Sequence, residues 1–255
     1  MRALRSYGEK DIRVVDVDEP TPSGDKVIIN VEWCGICGSD LHLFHMGPEA
    51  MLRLPKSTTD ATPLIMGHEI AGRIAHSPDP ASLPVGAPVV VDPCLFCGNC
   101  APCAARQTQL CAAGISFRGF STQAGGGFAE KIAVEPSAVY VLPEEAGARL
   151  AHAALVEPLA VAWHAVKRAG IATPAWVAVP FVPLMYKEIA VTASCAYNAT
   201  DLQEVVKAFA AGRFTGVDSM VTARLSLEDV VEKGFDALTN PENTHVKILI
   251  SPKEL

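Results

Sequence analysis

Cys97-Gly98-Asn99-Cys100-Ala101-Pro102-Cys103, followed by Cys111, puts four thiols within fifteen residues in the pattern C-x2-C-x2-C-x7-C. Four thiolates so spaced close a tetrahedral sulfur shell around Zn²⁺, and a closed shell leaves no position for a substrate, so the expected role is structural. The same crowding also fits an iron–sulfur cluster or a group of buried thiols without metal. Cys94 is an extra cysteine beside the pattern. Three separated segments hold a second set of donors: Cys34-Gly-Ile-Cys37-Gly-Ser39-Asp40-Leu-His42, Met66-Gly67-His68-Glu69 and Val156-Glu157-Pro158-Leu159. A thiolate, an imidazole and a carboxylate from distant stretches can make an open zinc site with water in the fourth position. Zinc there would lower the pKa of a bound hydroxyl, and a hydroxyl–imidazole chain could carry the proton out. Each segment alone is a weak signal, since Gly-His-Glu is usually a turn entering a strand.

The elements that must position these donors are mostly strands up to about residue 150. Short runs rich in Val and Ile recur (IRVVDV, KVIINVEW, EIAGRIA, APVVVDP, EKIAV, AVYVL), punctuated by Pro, Gly and Asp. Such spacing predicts a barrel or sandwich. From Ala151 to Ala169 an Ala-rich stretch predicts helices, with Pro158 starting or kinking one. A helix is expected over 200–214 with Thr200 or Asp201 as N-cap, and another over 226–239 opened by Ser226 and Glu228–Asp229. HVKILIS closes the chain as a strand.

The chain has 255 residues, 49% of them apolar, which suffices for a proper core in one or two domains. The net charge of −7 excludes a nucleic-acid binder, because no basic excess exists to neutralise phosphates. No apolar run approaches the ~20 residues of a bilayer span, and MRALRSYGEK lacks the apolar centre of a signal peptide. A soluble, cytoplasmic protein is expected, with reduced thiols available as ligands.

Taken in this order, the segments resemble the zinc-dependent medium-chain dehydrogenases, most of all the butanediol and sorbitol (polyol) dehydrogenase-like branch. The resemblance includes MRAL…DIRV, GICGSDLH, PLIMGHEIAG, the GGGFAE turn at 125–130 and LVEPLAVAWHAV. It resumes at PFVPLMYKEIAVTASCAY and runs through LEDVVEKGF and HVKILIS. It implies a mainly β, α+β fold: a GroES-like, partly open β-barrel catalytic domain over 1–171, with a structural zinc lobe at 94–113. It implies two Zn²⁺ per chain. Cys37 and His68 would ligate the catalytic ion, and Glu157 would bind it directly or through water. Glu69 would be the carboxylate that can exchange onto the metal. Asp40 would orient His68, and Ser39 and His42 would relay the proton. Cys34 is assigned to packing. His45, His76, His152, His164 and His245 have no motif support.

In that family a dinucleotide-binding domain follows the EPL helix and opens with G-x-G-x-x-G. No such motif occurs here, and Gly125-Gly126-Gly127 precedes a strand rather than opening a helix. Only twelve residues lie between Ile171 and the resumed match at Leu184, against the order of 100 residues a doubly wound domain needs. Residues 172–199 are therefore expected to be a remnant of the lost sheet, with AWVAV (175–179) one strand and KEIAVTASCAY (187–197) the last, forming a homodimer edge. Residues 200–255 would complete the catalytic domain. Without that domain NAD(P) is not expected, and the leading expectation is a non-redox zinc enzyme acting on a small hydroxy or carbonyl substrate, as lyase, dehydratase, isomerase or cyclase. The alternatives are an NAD(P)-dependent butanediol/polyol-type dehydrogenase, shortened or with its cofactor domain supplied in trans, and an inactive zinc-binding scaffold. The segment Phe44 to Ile65 is read as an insertion overhanging the zinc or packed on itself, with Phe44, Met46 and Met51 as candidate pocket walls.

Overall fold

The structure, a computed structural model, describes residues 1–22, 24–52, 64–114, 116–121, 124–170 and 193–253. The chain opens with strands β1 (Arg2–Gly8), β2 (Asp11–Asp16) and β3 (Val27–Gly35), then helix α1 (Gly38–Leu52). Strands β4 (Leu64–Ile65), β5 (Glu69–His76), β6 (Pro88–Val91) and β7 (Cys94–Leu95) follow, then the short helix α2 (Ala101–Ala104). Next come β8 (Ser116–Phe117), β9 (Lys131–Val134) and β10 (Val139–Val141), and helices α3 (Glu144–Gly147), α4 (Leu150–Ala153) and α5 (Val156–Ala169). Helix α6 (Ala199–Ala210), strand β11 (Val221–Ser226), a π-helical segment Val230–Asp236 running into α7 (Ala237–Thr239), and strand β12 (Lys247–Ser251) complete the chain.

The long sheet has the order β10-β6-β5-β3-β12-β11, with β9 also paired to β3. A smaller sheet, β2-β1-β4, covers one side. Among the described strands no ladder joins β11 back to β10, so the barrel is open. Every ladder is antiparallel except β11–β12, whose parallel register requires the crossover that carries the π-helical segment. Inside the curved sheets lies one core, with Leu4, Ile29, Val31, Ile70, Phe128 and Phe235 almost fully buried. A second core lies between the other sheet face (Ala71, Val90, Leu249) and helices α4, α5 and α6, filled by Leu155, Val156, Tyr197, Leu202 and Val205. The fold is therefore α+β, as the alternating Val/Ile runs and the Ala-rich stretch predict.

Several expectations need correction. The helix expected from residue 200 starts at Ala199, and Asn198 is its N-cap: Asn198 Oδ1 accepts from the Thr200 and Asp201 amides at 2.9 Å, and Asp201 closes a capping box. Asp201 is the third helical residue, where its carboxylate also accepts from His164 at 2.6 Å and Lys167 at 2.7 Å on α5. The helix expected over 226–239 begins only at Val230 and is wound with the wider π turn. The start of the Phe44–Ile65 insertion is helical, with α1 kinked at Gly47 (φ 72°) before Pro48. Phe44 is no pocket wall, because it is buried against Phe235 with ring centroids 5.3 Å apart, and Met46 is exposed on the surface. The Met51 side chain, AWVAV and most of KEIAVTASCAY lie outside the described residues, and the described end of that last segment, 193–197, is irregular rather than extended. Among the described residues no helix is long and apolar enough to cross a membrane.

Candidate metal centre and substrate pocket

The ends of three elements meet at one point. Strand β3 ends at Gly35 and α1 begins at Gly38, so Cys37 sits in the turn between them, where the Asp40 carboxylate accepts its amide at 2.9 Å. His68 and Glu69 enter β5 just after Gly67, whose φ of 93° is open to glycine. A Cβ there would lie 2.8 Å from the Phe128 amide nitrogen, so both the turn and the close packing need glycine. The β3–β5 register sets Gly35 opposite Glu69, and a Cβ on Gly35 would strike Glu69 Oε2 at 1.9 Å. The missing side chain is the space that the Glu69 carboxylate occupies.

In this arrangement one donor atom each of Cys37, His68 and Glu69 lie within 4.8 Å of one another. Cys37 and His68 form the floor of a cavity of about 390 Å³, which Ser39 and Glu157 also line; Glu69 lies buried beneath it. Ser39 Oγ is 3.4 Å from His68 Nε2. On the other side of the ring, His68 Nδ1 faces Asp40 Oδ1 at 3.6 Å, and both atoms are buried without a hydrogen bond. His42 lies three residues along α1 from Ser39 and is exposed. Glu157, in the first turn of α5, is 8% exposed and lines the cavity, though it is not in the tight trio. Cys34 is fully buried in the core, as its packing assignment requires.

One residue that sequence reasoning missed belongs here. Lys247, at the start of β12, donates to both oxygens of Glu69 at 2.6 and 2.8 Å and to the Ile36 carbonyl at 3.0 Å. The Glu69 side chain is fully buried and that of Lys247 is 11% exposed. Only the antiparallel β12–β3 pairing brings the two together, and the sole sequence signal was a lysine opening an apolar strand. The pocket walls Phe117, Phe120, Val161 and Cys195 were missed likewise.

Electrostatics favour a cation at this floor. Three buried carboxylates, Asp40, Glu69 and Glu157, share one lysine and one histidine. Burial pushes the Glu157 carboxyl up to about 7, helped by Glu69 and Asp92 and opposed by His68 and Lys247. Burial would lower the His68 imidazole, but Asp40, Cys37 and Glu157 outweigh it and hold it well above its usual value. A soft thiolate, an imidazole and carboxylates form a donor set suited to Zn²⁺.

The second cluster, Cys97, Cys100, Cys103 and Cys111, also has its donor atoms within 4.8 Å. The Cys97 and Ala112 amides donate to Cys111 Sγ and Cys100 Sγ at 3.4 Å, contacts that stabilise thiolates. Hydrogen bonds from the Ala112 and Cys103 amides lower the Cys100 thiol to about 6. Cys94 stands apart, buried in the second core. His164, one of the histidines without motif support, is a structural partner of Asp201.

Residues 23–144 match the family described as the alcohol dehydrogenase GroES-like domain. The (R,R)-butanediol dehydrogenase of Saccharomyces cerevisiae is 40% identical over 191 residues, covering 67% of this chain and 49% of that one. The sorbitol dehydrogenase of Bacillus subtilis is 31% identical over 169 residues, covering 66% and 45%. The chain thus spans about half the length of the curated relatives it matches. The crystal structure of 2R,3R-butanediol dehydrogenase from Bacillus subtilis superposes with a TM-score of 0.77 at 23% identity, covering 99% of each chain, which establishes likeness of fold. By its GroES-like domain and its butanediol and sorbitol dehydrogenase relatives, the chain belongs to the medium-chain alcohol dehydrogenase superfamily, on the polyol dehydrogenase-like branch.

Proposed function

We propose that this chain provides the substrate-binding half of an alcohol or diol dehydrogenase, with a catalytic Zn²⁺ held by Cys37 and His68 and completed by Glu157 or Glu69. The observation that carries the reading is the convergence of donors from Cys37, His68 and Glu69 within 4.8 Å, with Cys37 and His68 lining a cavity that Ser39 and Glu157 share. When bound, zinc would supply Lewis-acid polarisation of a hydroxyl or carbonyl oxygen. The chain's own residues do the rest. Asp40, behind the ring, orients His68. Ser39 takes the substrate proton at Oγ, and His42, exposed on the next turn of α1, passes it to solvent. Phe117 and Phe120 keep water from the floor. Lys247 holds Glu69 in reserve as an exchangeable carboxylate. The four-cysteine lobe would hold a second, structural zinc.

Hydride transfer requires a nicotinamide nucleotide, and the names of the relatives support that chemistry over the lyase or isomerase reading. Residues 171–192, between Gly170 and Ala193, are too few for a doubly wound domain of about 100 residues. The nucleotide would then be presented by a domain encoded elsewhere, in another chain or another part of a longer protein. The same short interval favours a second reading, zinc chemistry on a hydroxy-carbonyl compound without net redox.

Product analysis of small α-hydroxy ketones with and without NAD(P)H, by the zinc-loaded chain mixed with extract of its source cells to supply a separately encoded nucleotide-binding domain and compared with the same mixture holding Cys37→Ser, separates the two. Reduction that depends on the nucleotide supports the dehydrogenase. A product formed without it overturns that reading in favour of the second. Neither product, from chain with its zinc bound, leaves a zinc-binding scaffold.

A further inference from the structure

The turn from Phe117 to Phe120 serves two cavities. Phe117 and Phe120 wall the cavity over Cys37 and His68. Arg118, between them, lines a second cavity of about 420 Å³ together with Lys26, Lys131 and Glu135. The turn lies against the metal floor: Phe120 stacks obliquely on His68 with ring centroids 5.0 Å apart, and a Cβ on Gly119 would come within 2.5 Å of the Gly67 carbonyl oxygen. Main-chain bonds fix the start of the turn, where the Arg118 amide donates to the Pro93 carbonyl at 2.8 Å and Phe117 pairs with Cys94 in the β7–β8 ladder. The Arg118 side chain supplies a further restraint. It is only 2% exposed, its Nε is buried without a partner, and among the described residues Glu135 is the one carboxylate that pairs with it. Glu135 directly follows β9, and the β3–β9 register, with Val27 opposite Val134, sets it beside Lys26, which donates to its other carboxylate oxygen. Lys131, the third base on that wall, is paired with Glu19.

We propose that Arg118 is a positioning residue: its ion pair with Glu135 anchors the turn from the second cavity and so holds Phe117 and Phe120 in place over the metal floor. The function proposed above enters only in calling the cavity over Cys37 and His68 a substrate site. A guanidinium enclosed to this degree needs its carboxylate, because removing the partner leaves a buried charge uncompensated. With the carboxylate gone, the side chain is relieved by turning into the second cavity toward water. Its main chain moves with it, and Phe117 and Phe120 are one and two residues away. The displacement is read at His68, because Phe120 is the ring packed on that imidazole.

The test is NMR of the full zinc-loaded chain carrying ¹³Cε1-labelled histidine, which should give seven imidazole signals. His68→Gln assigns the His68 signal by its loss, and Phe120→Leu marks where that signal goes when the neighbouring ring is removed. Glu135→Ala should move the His68 signal toward the Phe120→Leu position while the other signals stay. Glu135→Gln, which keeps an acceptor for Arg118, should return most of the shift. Glu135 has a side chain 43% exposed, so these variants should fold, and Arg118→Met should reproduce the Glu135→Ala shift. Zinc lost from the open site in Glu135→Ala and regained in Glu135→Gln, with the four-cysteine zinc retained throughout, would support the proposal equally. An unmoved His68 signal in Glu135→Ala at full zinc content, or an equal shift of all seven signals, would overturn it, since the pair would then serve stability alone. The readout needs no turnover, so failure of the dehydrogenase reading leaves this result intact, and failure here leaves that reading intact.

Discussion

Substituting Lys247→Met isolates the ion pair beneath the metal floor. The pair is buried on both sides, with the Glu69 side chain fully enclosed and that of Lys247 11% exposed. Removing one member of such a pair leaves an uncompensated buried charge and costs about 3–5 kcal/mol. Replacing both members by apolar side chains of similar volume is often near neutral. In metal-free chain, urea unfolding of Lys247→Met should therefore show a loss of about 3–5 kcal/mol, and the double variant Glu69→Met/Lys247→Met should recover most of it. Zinc should change this result. With Lys247 gone, the Glu69 carboxylate is free to turn toward the ion beside Cys37 and His68, because these donors already lie within 4.8 Å. The stabilisation gained on adding zinc, which grows as RT ln(1 + [Zn]/Kd), should then be larger in Lys247→Met than in the parent. A loss below about 1 kcal/mol in the metal-free single variant, outside the range for buried pairs, would refute the energetic reasoning. An equal zinc increment in parent and variant would refute the placement of Glu69 within the metal's reach.

Asp40→Asn, which removes the charge behind His68, should weaken zinc binding about 10–100-fold, measured by competition with a chromophoric chelator while the unfolding midpoint of metal-free chain moves little. Gly67→Ala forces a side chain onto a φ of 93° and against the Phe128 amide; it should cost about 1–3 kcal/mol and displace His68, seen as lost zinc at the open site in elemental analysis. Asp201, held by Lys167, His164 and the Asn198 amide, has its carboxyl below the usual range. Its contribution is therefore complete above the ordinary carboxylate pKa near 4 and is lost as pH falls through the lower folded value. Asp201→Asn should cost about 1–2 kcal/mol at pH 7, and the gap to the parent should close on acidification below pH ~4, read from denaturation midpoints across pH.

Much of the fold was legible because Val and Ile recur at the buried positions of β3, β5, β6, β9 and β12. The donors were legible as motifs, since the turns that carry Cys37 and His68 are short and each sits next to its glycine. What escaped the sequence is tertiary. Lys247 finds Glu69 across 178 positions of chain, so no local pattern could pair them. Asn198 caps α6 two residues before the expected position, because the capping box is completed by Asp201, whose other partners lie on α5. The helical character of residues 38–52 was hidden by Gly47 and Pro48, and the core role of Phe44 depends on Phe235. Cys195 lines the cavity two residues before Tyr197, whose hydroxyl donates to Asp92 across 105 positions of chain.

The most direct measurement is the zinc content of the purified chain beside that of Cys37→Ser/His68→Ala and Cys100→Ser/Cys103→Ser variants. Two equivalents in the parent and one in each double variant, with X-ray absorption of the Cys100→Ser/Cys103→Ser protein reporting a mixed sulfur, nitrogen and oxygen shell, is the predicted result. A parent that holds a single, all-sulfur zinc which the Cys37→Ser/His68→Ala change leaves untouched would contradict it.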